Sequence, residues 1–247
     1  AGIACEMNVI MGIAEKHGLI VIEDAAQGFL SSYEGRALGT IGSFGALSFH
    51  STKNISCGEG GALLINDNRY IKKAEILRDK GTNRQEFLEG RILKYSWVGL
   101  GPSASMGELS AAYLLAQLEA AEEITSSRIA VWNEYDREFM ELDAAIKIKT
   151  PCIPKGSAHN GHIYYVLASS KADRDRAQAR LKESGIESAS HYEPLHSSSI
   201  GAELCEKHAV LLNTESISER ILRLPLWPGL LKSNVHDIAS AVKKAFY

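Results

Sequence analysis

Two residues in the first quarter of the chain are suited to covalent chemistry, Asp24 and Lys53. Lys53 stands in Ser48-Phe49-His50-Ser51-Thr52-Lys53-Asn54, with Gly58-Glu59-Gly60-Gly61 close behind. Glycines there let backbone come near a ligand, and the hydroxyls of Ser48 and Ser51 can donate to phosphate oxygens. The spacing is not that of a GxxxxGK[ST] nucleotide loop. By default a loop lysine is a solvated surface group; in this setting it is suited to nucleophilic Schiff-base chemistry instead. Asp24 closes the apolar run Leu19-Ile20-Val21-Ile22. A carboxylate at the C-terminal end of a parallel strand lies where open α/β sheets bind ligands; alone, it reads as readily as a turn-capping Asp. Together the pair supplies what pyridoxal phosphate requires, a lysine for its aldehyde carbon and a carboxylate against its pyridinium nitrogen.

The elements that must position them follow from apolar periodicity. Residues 4–17 predict a helix with Met7, Ile10, Met11 and Ala14 on one face, stopped by Gly18. The run 19–22 predicts a strand buried on both faces of a parallel sheet. Further strands are expected at 46–50 and 62–65, then a charged amphipathic helix over 69–80. This order suits an open α/β sheet with one locally reversed strand. Residues 82–105 are irregular and rich in Gly, Ser and Arg, as functional or interface loops are. Residues 106–142 read as helix, apolar nearly all round from Leu109 to Ala121, which predicts burial on more than one side, as between two subunits. A smaller C-terminal domain is expected from Thr150, with strands at 163–168 and near 186–192. Its helices are predicted at 171–184, near 215–222 and at 234–246. The boundaries expected are 1–128 for a large α/β domain, 129–149 for a connecting helix and linker, and 150–247 for a small α+β domain. The run Asp173-Arg174-Asp175-Arg176 reads as a solvated helix face.

Composition narrows the function classes. The chain has 247 residues, 27 Lys+Arg and 30 Asp+Glu, a formal net charge of −3. That balance argues against nucleic acid as a partner, which would favour a basic stripe. No apolar run reaches the ~18 residues of a membrane helix. Cys5, Cys57, Cys152 and Cys205 form no CxxC pair, so no metal site is expected. They read as reduced core or pocket thiols in a cytoplasmic setting. Trp132 and Trp227 are expected in the core, and Trp97 in a loop where it can stack on a base or line an interface.

The block Glu23-Asp24-Ala25-Ala26-Gln27, followed by Ser48 to Asn54 and Glu59-Gly60-Gly61, closely resembles the DegT-type nucleotide-sugar aminotransferases. The similarity runs from Cys5-Glu6-Met7 to the C-terminal helix. It implies the fold-type I, aspartate aminotransferase-like α/β architecture and pyridoxal 5'-phosphate as cofactor. Lys80-Gly81-Thr82-Asn83-Arg84 and Lys94-Tyr95-Ser96-Trp97 resemble the branch that aminates dTDP-4-dehydro-6-deoxy-D-glucose with L-glutamate. That branch makes dTDP-4-amino-4,6-dideoxy-D-galactose for enterobacterial common antigen and related surface glycans. On this resemblance Lys53 bonds the cofactor and moves the proton. Asp24 opposes the pyridine nitrogen, Gln27 lies against the ring near its phenolic oxygen, and Ser48 holds the phosphate.

Many relatives add an Asn from the neighbouring subunit, in a Gly-Tyr-Asn-Tyr-Arg-Met run; here the run is Gly101-Pro102-Ser103-Ala104-Ser105-Met106, and Ser103 stands in the Asn position. A homodimer with a shared site is implied. His191-Tyr192-Glu193-Pro194-Leu195-His196 resembles the substrate-side loop, which makes His191, Tyr192 and His196 candidates beside the sugar nucleotide. His50 can face pocket or core. Arg84 and Lys94 can meet a diphosphate, which demands cationic donors.

The family also carries a segment ahead of the part matched here, with a phosphate grip, a ring-stacking aromatic and the first strands of the large domain. The chain therefore reads as a fragment, a clipped chain, or a truncated form kept as an oligomer, with apolar strand surface exposed. Lys53 speaks against the dehydratase branch, which has His in its place. A transaminase for another keto-sugar or a cyclitol, or a catalytically silent relative, stays open.

Overall fold

In the computed structural model of the chain, residues 1–140, 146–204 and 210–247 are described. They form two compact units. One comprises residues 2–124 and 155–160; the other comprises residue 1, 125–154 and 161–247.

The first unit begins with helix α1 (Met7–His17), ended by Gly18 in the left-handed conformation at φ 62°, as a C-terminal glycine permits. Strands β1 (Ile22–Asp24), β2 (Ser32–Tyr33), β3 (Arg36–Ala37), β4 (Phe44–Ser48) and β5 (Gly61–Ile65) follow. The main sheet has the order β1-β4-β5, with β1 parallel to β4 and β5 reversed, the reversal expected from the sequence. A second small sheet joins β3, β2 and β6 (Ser157–Ala158). After β5 come α2 (Ile71–Arg78), the short α3 (Arg84–Leu88) within the otherwise irregular 82–105 stretch, and α4 (Glu108–Glu119). Gly45 matters to the sheet: a Cβ there would lie 2.4 Å from Gly39 Cα, so only glycine lets the loop before β4 press on the strand.

Several expectations need correction. β1 starts at Ile22, later than the apolar run, and is not buried on both faces: Ile22 is 66% exposed and Leu19 and Ile20 are exposed too. The outer edges of β1 and β5 have no strand beside them among the described residues. Apolar side chains there find no second layer. A cavity of about 890 Å³ lined by Phe44, Leu63, Ile65, Tyr70 and Leu77 runs beside β5. Helix α4 buries only Leu114, while Leu109, Tyr113 and Leu115 stay exposed. The long helix predicted over 106–142 is two helices, with a break at Ala120, and residues 141–142 lie outside the described ones.

The second unit holds most of α5 (Ala121–Met140), then β7 (Tyr164–Leu167), α6 (Lys171–Glu183), α7 (Ser199–Leu204), α8 (Leu212–Arg220), β8 (Ile221–Leu224) and α9 (Lys232–Ala245). β7 and β8 pair antiparallel, Val166 opposite Leu222. Their alternating inner residues Tyr164, Val166, Leu222 and Leu224 meet Trp132, Tyr135 and Phe139 of α5 and Val235, Ala239 and Val242 of α9. The sequence missed β8, reading its residues as the end of a helix; Ile221-Leu222-Arg223-Leu224 alternates in burial with period two, the strand signature. No strand forms near 186–192, only a bridge from Ala189 to Arg223. Arg174 is buried rather than solvated, its guanidinium paired with Asp175. Trp132 is core, but Trp227 is half exposed. Cys57 is buried, whereas Cys5 and Cys152 are exposed; Cys205 lies outside the described residues. Among the described residues no helix is long and apolar enough to cross a membrane.

Candidate active site

Asp24 ends β1, opposite Ala46 in the parallel register. Ser48 ends β4 two residues further along the same direction. Both therefore reach the carboxyl edge of the sheet, where such sheets bind ligands. Glu23, with its side chain on the other face of β1, fixes that register. Its carboxylate is buried and accepts the backbone N–H groups of Gly39 at 2.9 Å, Ile41 at 2.6 Å and Gly42 at 2.7 Å. Charge-assisted bonds of this kind are stronger than neutral ones, and together they hold the chain that enters β4. Sequence reading passed over Glu23, whose partners lie 16 to 19 residues downstream.

Lys53 lies in the hairpin between β4 and β5. That hairpin is closed by Phe49 N–H to Gly60 O at 2.8 Å, Ser51 N–H to Gly58 O at 2.8 Å and Cys57 N–H to Phe49 O at 2.8 Å. Ile55 and Cys57 anchor it in a cluster with Phe49, Leu114 and Ala121. The Lys53 N–H donates to His50 O at 2.9 Å. Among the described residues its half-buried ammonium has neither an ion-pair partner nor a hydrogen-bond acceptor. Among the described residues Asp24 accepts only the N–H of Ala26, at 3.1 Å, and meets no cation. A free amine and a free carboxylate, on one sheet edge with a serine hydroxyl between them in sequence, fit pyridoxal phosphate: an aldehyde, a basic ring nitrogen and a phosphate.

The remaining candidates separate into groups. His50 turns its ring into its own loop, with Nδ1 2.8 Å from Thr52 Oγ1 and Nε2 3.5 Å from Glu59. Gln27 sits half-buried in the turn after β1. Arg84 and Ser103 fall in another part of the same unit: Arg84 pairs with Asp79 at 3.3 Å, and Ser103 bridges Asp79 through the backbone. Here Asp79, Lys80, Thr82, Arg84, Tyr95 and Trp97 line a basin of about 660 Å³. Trp97 is 81% exposed. Lys94 is exposed and outside this lining.

His191, Tyr192 and His196 belong to the other unit. His191 Nδ1 lies 3.0 Å from Arg223 Nη1, and its ring stacks on Tyr192. His196 Nε2 is 3.0 Å from Glu215, whose carboxyl is held below its usual value by that bond and by the N–H of Leu211. In the same unit, burial pushes the Arg128 guanidinium down to about 10, with Arg223 adding repulsion. Arg128 donates to the carbonyls of Gly161 and His162 at 3.2 and 2.7 Å, contacts with no local signal in the sequence. Among the described residues no group of three or more His, Cys, Asp and Glu could hold a metal ion.

A mixed α/β sheet with this acid and amine at its carboxyl edge has the fold of the fold-type I pyridoxal phosphate-dependent aminotransferases. The signature of the DegT/DnrJ/EryC1/StrS aminotransferase family matches residues 1–243, and the chain belongs to that family. The family is one of aminotransferases, transferases of the EC 2.6.1 type that use pyridoxal phosphate. The chain is 33% identical over 251 residues to the uncharacterised protein MJ1066 of Methanocaldococcus jannaschii, covering 99% of itself and 64% of that protein. It is 29% identical over 250 residues to the spore coat polysaccharide biosynthesis protein SpsC of Bacillus subtilis, covering 98% and 64%. Among solved structures, DesV of S. venezuelae, in complex with a ketimine intermediate, superposes with a TM-score of 0.86 at 28% identity, covering 98% of this chain and 62% of that one. The chain thus spans a little under two thirds of the length of these relatives.

Proposed function

We propose that the chain serves pyridoxal phosphate-dependent transamination of a nucleotide-linked keto-sugar in surface polysaccharide synthesis. The substrate proposed is dTDP-4-dehydro-6-deoxy-D-glucose and the donor L-glutamate. In the net reaction the amino group leaves glutamate, which becomes 2-oxoglutarate, and replaces the keto oxygen at C4 of the sugar. The observation that carries this reading is the pairing of two uncompensated groups, Asp24 and Lys53, on one sheet edge of a family member. The spore coat polysaccharide protein among its relatives supports the setting.

When bound, pyridoxal phosphate supplies an electron sink and a temporary carrier for the amino group. Lys53 would hold the cofactor through its amine and would serve as the base that carries a proton between substrate and cofactor. Asp24 would hold the ring nitrogen protonated, Gln27 would pack on the ring, and Ser48 would donate to the phosphate, with Ser103 of a second copy as a further donor in a homodimer. The basin with Lys80, Arg84, Tyr95 and Trp97 suits the nucleotide diphosphate, two cations for the phosphates and two aromatics for the base. Lys94 is proposed as a further substrate contact in this unit, and His191, Tyr192 and His196 as substrate contacts carried by the other; His50 bonds within its own loop.

The test is incubation with pyridoxal phosphate, L-glutamate and the dTDP-linked 4-keto-sugar, with the amino sugar read by mass spectrometry. Amination of this sugar in preference to other keto-sugars or a cyclitol supports the reading. A protein that binds the cofactor but aminates none of them is the silent relative instead, a second reading that the open edges of β1 and β5 favour.

A further inference from the structure

The end of β1 with the turn after it, which carry Asp24 and Gln27, and the hairpin after β4, which carries Lys53, are separate stretches of chain. They are tied together by one residue from far along the sequence. Asn160 is 1% exposed. Its side-chain amide uses both hydrogens, donating to Gln27 O at 2.8 Å and Phe29 O at 2.8 Å. Its own carbonyl accepts from Asn54 Nδ2 at 2.9 Å, next to Lys53. We infer that Asn160 is a positioning residue of the cofactor site, holding the Asp24–Gln27 loop and the Lys53 hairpin in one fixed relation. The inference rests on the cofactor roles proposed above.

Three features make this a built clamp. Residues 155–160 join the unit that holds the cofactor residues, while 161 onward belong to the other. That short stretch is fastened where it must be to deliver Asn160: Ser157 and Ala158 pair with Tyr33 and Ser32, and the Glu34 N–H donates to Gly156 O at 2.7 Å. The third is the packing of Gly2. A Cβ on Gly2 would come 2.1 Å from Asn160 Oδ1, and the Gly2 carbonyl accepts Ser31 Oγ at 2.7 Å. Backbone is thus packed directly over the amide, which leaves it one orientation. The carbonyls of Gln27 and Phe29 lie outside any strand ladder, and the amide gives each of them a hydrogen-bond donor.

Asn160→Asp preserves size but turns an acceptor toward two carbonyls. Asn54→Ala removes the link to the Lys53 side and leaves the Asn160 amide in place. The measurements are pyridoxal phosphate affinity, by absorbance titration well below the melting temperature, and hydrogen exchange resolved by segment. For Asn160→Asp we expect cofactor affinity to fall at least about tenfold, the effect of losing one buried hydrogen bond or more. Exchange should quicken in both 25–31 and 51–57, while 164–167 and 221–224 stay protected. For Asn54→Ala, exchange should quicken in 51–57 alone, with a smaller loss of affinity. A merely structural role would lower the melting temperature and leave affinity in the folded protein unchanged. Affinity within twofold of wild type for Asn160→Asp, or exchange that quickens evenly over the whole chain, overturns the inference. Should Asn160→Asp fail to fold, unchanged protection of 51–57 in Asn54→Ala overturns it alone. If the wild-type chain takes up no cofactor, the function proposed above fails, and the exchange pattern still decides whether Asn160 ties the two loops.

Discussion

Leu222 on β8 and Leu63 on β5 are the same residue type at similar places in short strands, yet Leu222 is fully buried and Leu63 is 54% exposed. The contrast holds between the two units. In one, Tyr164 and its neighbours Trp132, Tyr135 and Phe139 stack into a single core between two strands and helices. In the other, apolar residues gather in two small clusters, around Ile55 and around Tyr33 and Ile41, and much of the sheet's apolar surface stays uncovered. The unit that carries the proposed chemistry adds two polar ties to those clusters, the Glu23 carboxylate and the Asn160 amide.

The largest way to break this comparison is Tyr164→Ala. Removing a ring that is fully buried against three aromatic side chains should cost about 3–5 kcal/mol, and urea unfolding followed by tryptophan fluorescence measures it. A loss near that of an exposed residue would contradict the packing described. Next is Glu23→Ala, which leaves three backbone N–H groups in a buried place without their acceptor. A loss of about 2–3 kcal/mol is expected, with Glu23→Gln intermediate because one acceptor oxygen remains; amide exchange at Gly39, Ile41 and Gly42 reports it directly.

Why those two residues differed in legibility is physical. Tyr164 belongs to an apolar run that the sequence placed within a residue of its observed strand, and apolar alternation is the signal such strands write. The Asp24 and Lys53 neighbourhoods were equally readable, because glycines, hydroxyls and an acid after an apolar run are local features. Glu23 and Asn160 were not, because their partners lie 16 to 19 and 106 to 133 residues away and no local pattern encodes a long-range hydrogen bond. Burial was misread for Ile22 and Leu109 for a related reason. Apolar character says that a residue would gain from a cover, not that the described chain provides one.

A smaller effect concerns Glu138, which accepts from His236 at 2.9 Å and sits 3.6 Å from Lys243. These contacts, the His236 bond foremost, hold its carboxyl below the ordinary 4.5. The contact therefore stabilises the fold in full above that value and fades as the pH falls through the folded pKa. Glu138→Gln should cost under about 1 kcal/mol at neutral pH and nothing once wild-type Glu138 is protonated in acid, as urea midpoints across pH will report. The smallest expected effect is Leu63→Ala, within about 0.5 kcal/mol, whereas Leu222→Ala should cost about 2–5 kcal/mol. Equal losses at the two leucines would erase the contrast between the units.

The central claim is that the Lys53 amine is the group this fold presents to the cofactor. Trapping tests it directly: the protein is mixed with pyridoxal phosphate, reduced with borohydride, digested, and the modified peptide identified by mass spectrometry. The account predicts the cofactor fixed on the peptide containing Lys53, and no such labelling in Lys53→Ala although that variant folds as stably as wild type. Labelling spread over surface lysines such as Lys72 and Lys73, and equal in Lys53→Ala, would contradict it.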